Sequence, residues 1–274
     1  MNFKDKYGPW ALVTGASGGI GYALADELAS LGLNVVTIAR SAEALTAQKQ
    51  EIEAKYGVKV HPLALDVAAP SFPAEVLQAT VGLDIGLVVP NAGTIEVGDF
   101  AKSDAAANKR LIAVNVEHPV MLANAFASRL LARGRGGIVL LSSTFGYQGV
   151  PYLANYAAGK AFILAFGEAL HVELKRFGVD VTVLSPGLTR TSMSEGLPLD
   201  LGKLPIRSES AAAVARFAVS RLGRTASAAP GILNNMFIFF NRLSPRILPV
   251  ALFGFLVRRA FRRDARGSLL IGPQ

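Results

Sequence analysis

Short apolar segments alternate with longer helical segments along most of this 274-residue chain, and no other feature of the sequence limits the fold as strongly. The apolar segments are rich in Val, Ile and Leu without clean alternation, which is typical of strands covered on both faces. The predicted strands span residues 10–14, 34–39, 58–65, 85–89, 137–141 and 179–184. The predicted helices span residues 19–31, 42–56, 104–131, 155–177 and 209–222. This order predicts an α/β fold, a single domain with a doubly wound parallel sheet and right-handed crossovers.

Composition excludes several other classes of protein. Hydrophobic residues make up 51% of the chain, which is enough for a large core and argues against disorder. The chain has no cysteine, which excludes disulfides and thiolate metal sites. Its three histidines are far apart and lack metal-site spacing, so we expect no bound metal. The first ten residues lack the apolar segment of a signal peptide, so we expect a cytoplasmic protein.

The net charge of +8 is concentrated near the C-terminus. Between Arg242 and Arg266 the chain has seven arginines and one aspartate, which leaves 21 basic and 19 acidic residues elsewhere. A body that is nearly neutral gives no reason to expect nucleic acid as a partner. The basic charge must therefore be explained within the C-terminal segment.

A glycine-rich loop joins the first predicted strand to the first predicted helix. It contains Gly15, Ser17, Gly19, Ile20 and Gly21. Without a Cβ atom the backbone can turn sharply and let a pyrophosphate lie against the N-terminus of the helix. The loop therefore predicts dinucleotide binding by a sheet of the Rossmann type.

The spacing Gly-x-x-x-Gly-x-Gly resembles that of the short-chain dehydrogenase/reductase family, and the likeness extends over about residues 8–230. This resemblance implies hydride transfer between a nicotinamide cofactor and a carbonyl or alcohol carbon. It also implies cofactor contacts from Asp66 and Val67 after the third strand, Asn91, Ala92 and Gly93 after the fourth, and Pro186, Gly187, Thr189 and Thr191 after the sixth. Pro90 stands where many relatives have asparagine. Because proline has no N–H, we expect the pairing at this strand end to differ.

The end of the second strand distinguishes NADP(H) from NAD(H). NAD-binding proteins usually carry an acidic residue there, which binds the ribose 2′-hydroxyl. Here Ala39 occupies that place and Arg40 follows. A guanidinium can pair with the 2′-phosphate that an acid would repel. We therefore predict NADP(H) as the cofactor.

Four residues form the predicted catalytic constellation. Tyr156 and Lys160 are four positions apart on one face of a predicted helix, Ser143 follows the fifth strand, and Asn115 lies upstream. Tyr156 is the expected proton donor, and we expect Lys160 and the oxidised nicotinamide to lower its pKa. Lys160 is also expected to hold the nicotinamide ribose, so both residues belong to the cofactor site. Ser143 is expected to orient the substrate oxygen, and by resemblance Asn115 holds a water that relays protons.

Three functions agree with these residues. The first is NADPH-dependent reduction of a carbonyl in a hydrophobic substrate, such as a ketoacyl chain or a steroid-like ketone. The second is NADP-dependent oxidation of an alcohol at the same site. The third is a non-catalytic dinucleotide-binding regulator, against which the complete constellation argues. Residues 189–207 are predicted to form a lid over the substrate, with four apolar contacts: Met193, Leu197, Leu199 and Leu204.

Residues 1–231 are predicted to form the catalytic domain, and residues 232–274 an apolar, basic, helical extension. The composition of this extension is similar to that of the membrane-associated family branch that reduces 3-ketoacyl chains and steroid-like ketones. Its longest apolar stretch, residues 247–257, is shorter than the roughly 20 residues that a bilayer span requires.

Three roles for the extension stay open from the sequence. The three are docking on an anionic membrane surface through residues 237–263, covering the protein's own cleft, and packing against a second subunit of a homodimer. Under the membrane hypothesis, a helix would place one apolar stripe opposite four arginines. That stripe consists of Leu256, Val257, Ala260 and Phe261, and the arginines are Arg258, Arg259, Arg262 and Arg263.

Overall fold

The computed structural model describes residues 1–204 and 207–261, and a parallel sheet of seven strands forms its centre. The strands of this sheet are β1 (Trp10–Thr14), β2 (Asn34–Ala39), β3 (Val60–Ala64), β4 (Ile85–Val89), β5 (Gly136–Leu141), β6 (Val179–Leu184) and β9 (Ser227–Ala228). A separate two-stranded pair consists of β7 (Thr189–Arg190) and β8 (Glu209–Ser210). The order β3-β2-β1-β4-β5-β6-β9 reverses beside β1, and ligands of such sheets bind at the carboxyl ends of the strands at this switch point.

Eleven α-helices are found among the described residues, and most of them cover the two faces of the sheet. They are α1 (Phe3–Tyr7), α2 (Gly19–Ser30), α3 (Ala42–Tyr56), α4 (Phe72–Ala79), α5 (Ala105–Ile112), α6 (His118–Arg133), α7 (Ala154–Lys175), α8 (Ser192–Glu195), α9 (Ala211–Arg221), α10 (Ile232–Leu243) and α11 (Ile247–Ala260). One buried cluster joins the sheet to α2, α3 and α9, and a second joins it to α4, α6 and α7. The predicted doubly wound parallel sheet is thus confirmed.

The structure departs from the predicted elements in several places. The single helix predicted for residues 104–131 is divided into α5 and α6 by a wide π-helical turn at Ala113–Glu117. Pro119 explains part of this break, because it lacks the N–H that an α-helix would direct at the Asn115 carbonyl. The helix α4 and the strand β9 were not predicted. The strand β9 has only two residues in the structure, too few to produce a recognisable pattern.

The helices α10 and α11 contribute to a third hydrophobic cluster. Val257, Ala260 and Phe261 are buried there, and the N–H of Asp200 donates to the Ala260 carbonyl at 2.7 Å. The predicted lipid-facing stripe is therefore wrong for these three residues, because Leu199, Tyr152 and other side chains of the same chain pack against them in this cluster. Arg262 and Arg263 of that prediction lie outside the described residues. No described helix has both the length and the apolar character of a membrane span.

Candidate active site

The glycines of the loop permit close backbone packing that side chains would prevent. Gly15 has φ +65°, and a Cβ there would lie 2.8 Å from the Ala92 Cα. A Cβ on Gly21 would lie 2.2 Å from the Gly15 carbonyl oxygen, closer than any side chain can approach. The helix α2 starts just beyond, and no side chain caps its first N–H groups. These groups face a cleft lined by Gly15, Ser17, Gly19 and Ile20, which fits the pyrophosphate of a dinucleotide.

The loop after β4 is fixed to the glycine loop by hydrogen bonds. The N–H groups of Asn91 and Ala92 both donate to the Thr14 Oγ1 at 3.0 Å. The Asn91 side chain donates to the Thr14 carbonyl at 2.9 Å. These bonds hold the segment in place although Pro90 has no N–H to contribute. Asn91, Ala92 and Gly93 line the same cleft as the glycine loop.

Three charged residues surround the far end of the cleft. Arg40 is exposed at the end of β2, and Asp66 accepts two hydrogen bonds from Arg110, at 3.0 and 3.2 Å. Burial opposes ionisation of Asp66, yet its pKa lies below the usual value because the Ala68 N–H and the charges of Arg110 and Arg40 stabilise the carboxylate. Arg110 was not predicted as a site residue, since only folding brings α5 beside the end of β3.

Most of the predicted catalytic constellation lies where α7 crosses the end of β5. Tyr156 and Lys160 lie one turn apart on α7, and the Lys160 Nζ is 5.7 Å from the centre of the Tyr156 ring. The Lys160 ammonium donates to the Leu141 carbonyl at 2.8 Å, and Ser142 Oγ donates to the Lys160 carbonyl at 2.7 Å. Ser143 and Tyr156 line the same cleft. Three of the four residues of the predicted constellation, Ser143, Tyr156 and Lys160, thus lie together where α7 meets the end of β5.

Burial determines the ionisation of both groups on α7. It raises the pKa of Tyr156, against the weaker opposite effect of the Ser143 hydrogen bond. It lowers the pKa of Lys160 to about 8. In the protein alone the pKa of Tyr156 is therefore raised by burial. The expected lowering by Lys160 and the oxidised nicotinamide concerns the complex with the cofactor, and it stays a prediction.

Asn115 lies behind the cleft, in the wide turn between α5 and α6. Its Oδ1 accepts from the Thr94 N–H at 2.8 Å, and its Nδ2 donates to the Thr94 carbonyl at 2.7 Å. A Cβ on the intervening Gly93 would lie 3.4 Å from Asn115 Oδ1 and 3.8 Å from Lys160 Nζ. The side chain of Asn115 therefore fixes the loop beside the lysine, and the water relay stays a prediction.

The segment after β6 completes the cleft. The Pro186 carbonyl accepts from the Thr144 N–H at 3.0 Å, and Thr189 is buried. The Thr191 side chain caps α8 and lies against Gly19, whose Cβ would be 3.0 Å from its methyl group. Pro186, Gly187, Thr189 and Thr191 all line the cleft. Asn234 was not predicted as a site residue. It packs closely against Gly187, where a Cβ would lie 2.7 Å from the Asn234 Oδ1.

The cleft has a volume of about 1270 Å³ and changes character along its length. Its cofactor side is lined by backbone and polar groups, while the side beyond Tyr156 is apolar. The third cluster supplies that apolar wall with Phe145, Leu153, Phe237 and Phe253. The four predicted lid contacts also line it: Met193, Leu197, Leu199 and Leu204. Residues 205–206 of the predicted lid lie outside the described part of the chain.

Comparisons with known proteins agree with this geometry. The profile of the short chain dehydrogenase family matches residues 9–201. The chain is 35% identical over 199 residues to a 7β-hydroxysteroid dehydrogenase of Collinsella aerofaciens, which covers 72% of this chain and 76% of that protein.

Two solved structures share the fold over more of the chain. A structure from work on the stereoselectivity of 7β-hydroxysteroid dehydrogenase matches with a TM-score of 0.84 at 28% identity, covering 92% of this chain and 99% of the other. A short-chain dehydrogenase from Sphingobium yanoikuyae, solved in complex with NADPH, matches with a TM-score of 0.77 at 30% identity, covering 82% and 88%.

Proposed function

The chain belongs to the short-chain dehydrogenase family of NAD(P)-dependent oxidoreductases, and from this premise we propose that it reduces the carbonyl group of a hydrophobic ketone with NADPH. The observation that carries the proposal is the position of Tyr156, Ser143 and Lys160 at the junction of a polar cofactor cleft and an apolar wall. The substrate class that fits this wall is a ketone on a large apolar skeleton, either a fused ring system or a long acyl chain.

The protein's residues have separate parts in this reaction. NADPH, when bound, supplies the hydride, and the glycine loop with Arg40 would hold its phosphates. Ser143 would orient the substrate oxygen by a hydrogen bond. Tyr156 would deliver the proton that this oxygen needs as negative charge develops on it. Lys160 would place a positive charge beside the tyrosine and limit the cost of its ionisation.

The same residues serve both directions of the reaction. Tyr156 would donate its proton in ketone reduction and would act as the base, as tyrosinate, in alcohol oxidation. Burial raises the pKa of Tyr156 in the protein alone, so its hydroxyl is protonated at neutral pH. The direction is set by the balance of reduced and oxidised cofactor and by the substrate, and NADP-dependent alcohol oxidation stays the alternative to the reduction proposed here.

A series of ketones tests the proposed substrate class. We expect kcat/KM for NADPH-dependent reduction to be highest with steroid-like or long-chain ketones and to fall steadily toward short ones. The reason is that each buried methylene contributes about 0.8 kcal/mol to substrate binding. The ring and chain arms of the series distinguish the two skeletons. Activity confined to small polar ketones would contradict the proposal.

A substitution in the apolar wall tests whether this wall binds the substrate. Phe253 is buried between Phe145 and Phe237, with ring centres 5.6 and 5.0 Å away. Phe253→Ala should raise KM for the large ketones while the Kd of NADPH stays unchanged, since the ring lies on the substrate side.

The pH dependence of the reaction should report Lys160. Its pKa of about 8 means that the ammonium is present below that pH and is lost as pH rises through it. We expect kcat/KM for reduction to be constant near pH 6–7 and to fall about tenfold per unit well above pH 8. The measurement is a profile from pH 6 to 10. Lys160→Arg, if active, should shift the fall to higher pH, and a profile without a break near 8 would argue against this role.

A further inference from the structure

The two C-terminal helices direct a row of apolar side chains away from the protein. Six of them lie on α10, at Ile232, Leu233, Met236, Phe239, Phe240 and Leu243. Four lie on α11, at Ile247, Leu248, Leu252 and Phe255. These ten side chains, here called the outer face, are each between 49% and 81% exposed. Their spacing of one, three and four positions places them on one side of each helix.

The outer face is not required to build the protein's own core. Other side chains of the same helices do that, since Ile238, Phe253 and Val257 are buried. The rings of Phe237 and Phe253, with centres 5.0 Å apart, connect the two helices beneath it. Single exposed apolar residues are ordinary, but ten on two connected helices are typical of a surface that meets an apolar partner.

Positive charge accompanies the outer face, and the arginines concerned form no ion pair with an acid among the described residues. Arg242, Arg246, Arg258 and Arg259 are all exposed. Arg258 and Arg259 follow Phe255 by three and four positions, so they continue its side of α11. No Asp or Glu occurs between residues 210 and 263. The partner that fits this surface is apolar in its interior and negatively charged at its boundary.

We propose that the outer face docks on an anionic lipid surface, with α10 and α11 lying in the interfacial plane. Helices of 12 and 14 residues are too short to span a bilayer but are suited to lie along it. A second copy of this chain fits less well. A two-fold interface would bring the same four arginines of each copy close together, which repulsion between like charges opposes.

The docking site continues into the active-site cleft. Ile232, Leu233 and Leu252 belong to the outer face and also line the cleft. The apolar side of the cleft therefore opens at the surface that would face the lipid. A ketone dissolved in the bilayer would reach Tyr156 without crossing water, a consequence that depends on the proposed function, whereas the docking itself does not.

Co-sedimentation of the full chain with lipid vesicles tests the docking. We expect the protein to pellet with vesicles of phosphatidylglycerol and phosphatidylcholine at low salt, to bind pure phosphatidylcholine far less, and to be released partly by about 0.5 M salt. Arg258→Gln with Arg259→Gln should weaken partitioning by about fivefold for each arginine. Phe239→Gln with Phe240→Gln should weaken it at least tenfold. Val172→Gln, at an exposed apolar residue on α7, should have no effect.

Two further readouts keep the outcomes apart. The Phe239, Phe240, Arg258 and Arg259 variants lie outside the cleft lining, so turnover of a water-soluble ketone should be unchanged in them. If the full chain stays in solution with anionic vesicles at low salt, the docking proposal is wrong. If it is a dimer by light scattering and the phenylalanine variant is a monomer, the outer face is a subunit interface instead. If no ketone is reduced while the protein still binds vesicles, only the proposed function is overturned.

Discussion

Tyr156→Phe is expected to lower kcat for ketone reduction by about 10²–10⁴-fold, the usual contribution of a positioned acid. The substitution removes the hydroxyl and keeps the ring, so the packing of α7 should not change. The Kd of NADPH, measured by fluorescence titration, should stay within about twofold, because Lys160 and the glycine loop are untouched. Steady-state rates and the titration together separate loss of the proton from loss of binding.

The matched control is Tyr152→Phe, the same chemical change four residues earlier. The Tyr152 ring packs edge-on against Phe261, with centres 5.3 Å apart, and its side chain does not line the cleft. This variant should keep nearly full activity. If Tyr156→Phe retains activity within tenfold of the original, another group supplies the proton and the catalytic assignment fails. Full cellular function without Tyr156 would instead favour the non-catalytic regulator.

Arg40→Ala is expected to weaken NADPH binding by about 10- to 150-fold, which corresponds to the roughly 1.5–3 kcal/mol of hydrogen bonds to a charged group. NADH binding should change little, because NADH has no 2′-phosphate for the guanidinium to pair with. The measured quantity is the ratio of the two dissociation constants, before and after the substitution.

A neighbouring arginine provides the control for this experiment. Arg110 lines the same end of the cleft but is engaged by Asp66, so Arg110→Gln should leave the ratio of the two constants unchanged even if both affinities fall. Equal affinity of the unmodified protein for NADPH and NADH would show that Arg40 does not select the cofactor.

The sequence was sufficient for the parts of the site that are encoded locally. A glycine loop between a strand and a helix, or Tyr156 and Lys160 one turn apart, needs only neighbouring residues to be recognised. The order of strands and helices likewise predicted the doubly wound sheet. Residues brought in by distant elements escaped prediction, as Arg110 and Asn234 illustrate. Neither belongs to a local motif, and only the packing of α5 and α10 carries them to the cleft.

The C-terminal extension shows a second limit of sequence reasoning. Helical spacing identifies an apolar stripe but does not say what covers it. The helices α10 and α11 are apolar on more than one side, so their sequence alone does not show which side is buried. Packing in the third cluster determines this. It covered Val257, Ala260 and Phe261, and left Phe239, Phe240 and Phe255 outside. The raised pKa of Tyr156 in the protein alone was not foreseen for a related reason, since burial is a property of the assembled site.

The two sides of the cleft come largely from different parts of the chain. The residues proposed to act on the carbonyl and to bind the cofactor come mainly from residues 15–160, whereas the apolar wall proposed to face the rest of the substrate comes largely from residues 193–257. Selectivity and reactivity are therefore encoded in largely separate stretches of sequence. A new C-terminal segment could remodel the substrates accepted by the enzyme while the proton donor and the glycine loop are inherited unchanged, so such proteins can diversify by exchanging their ends.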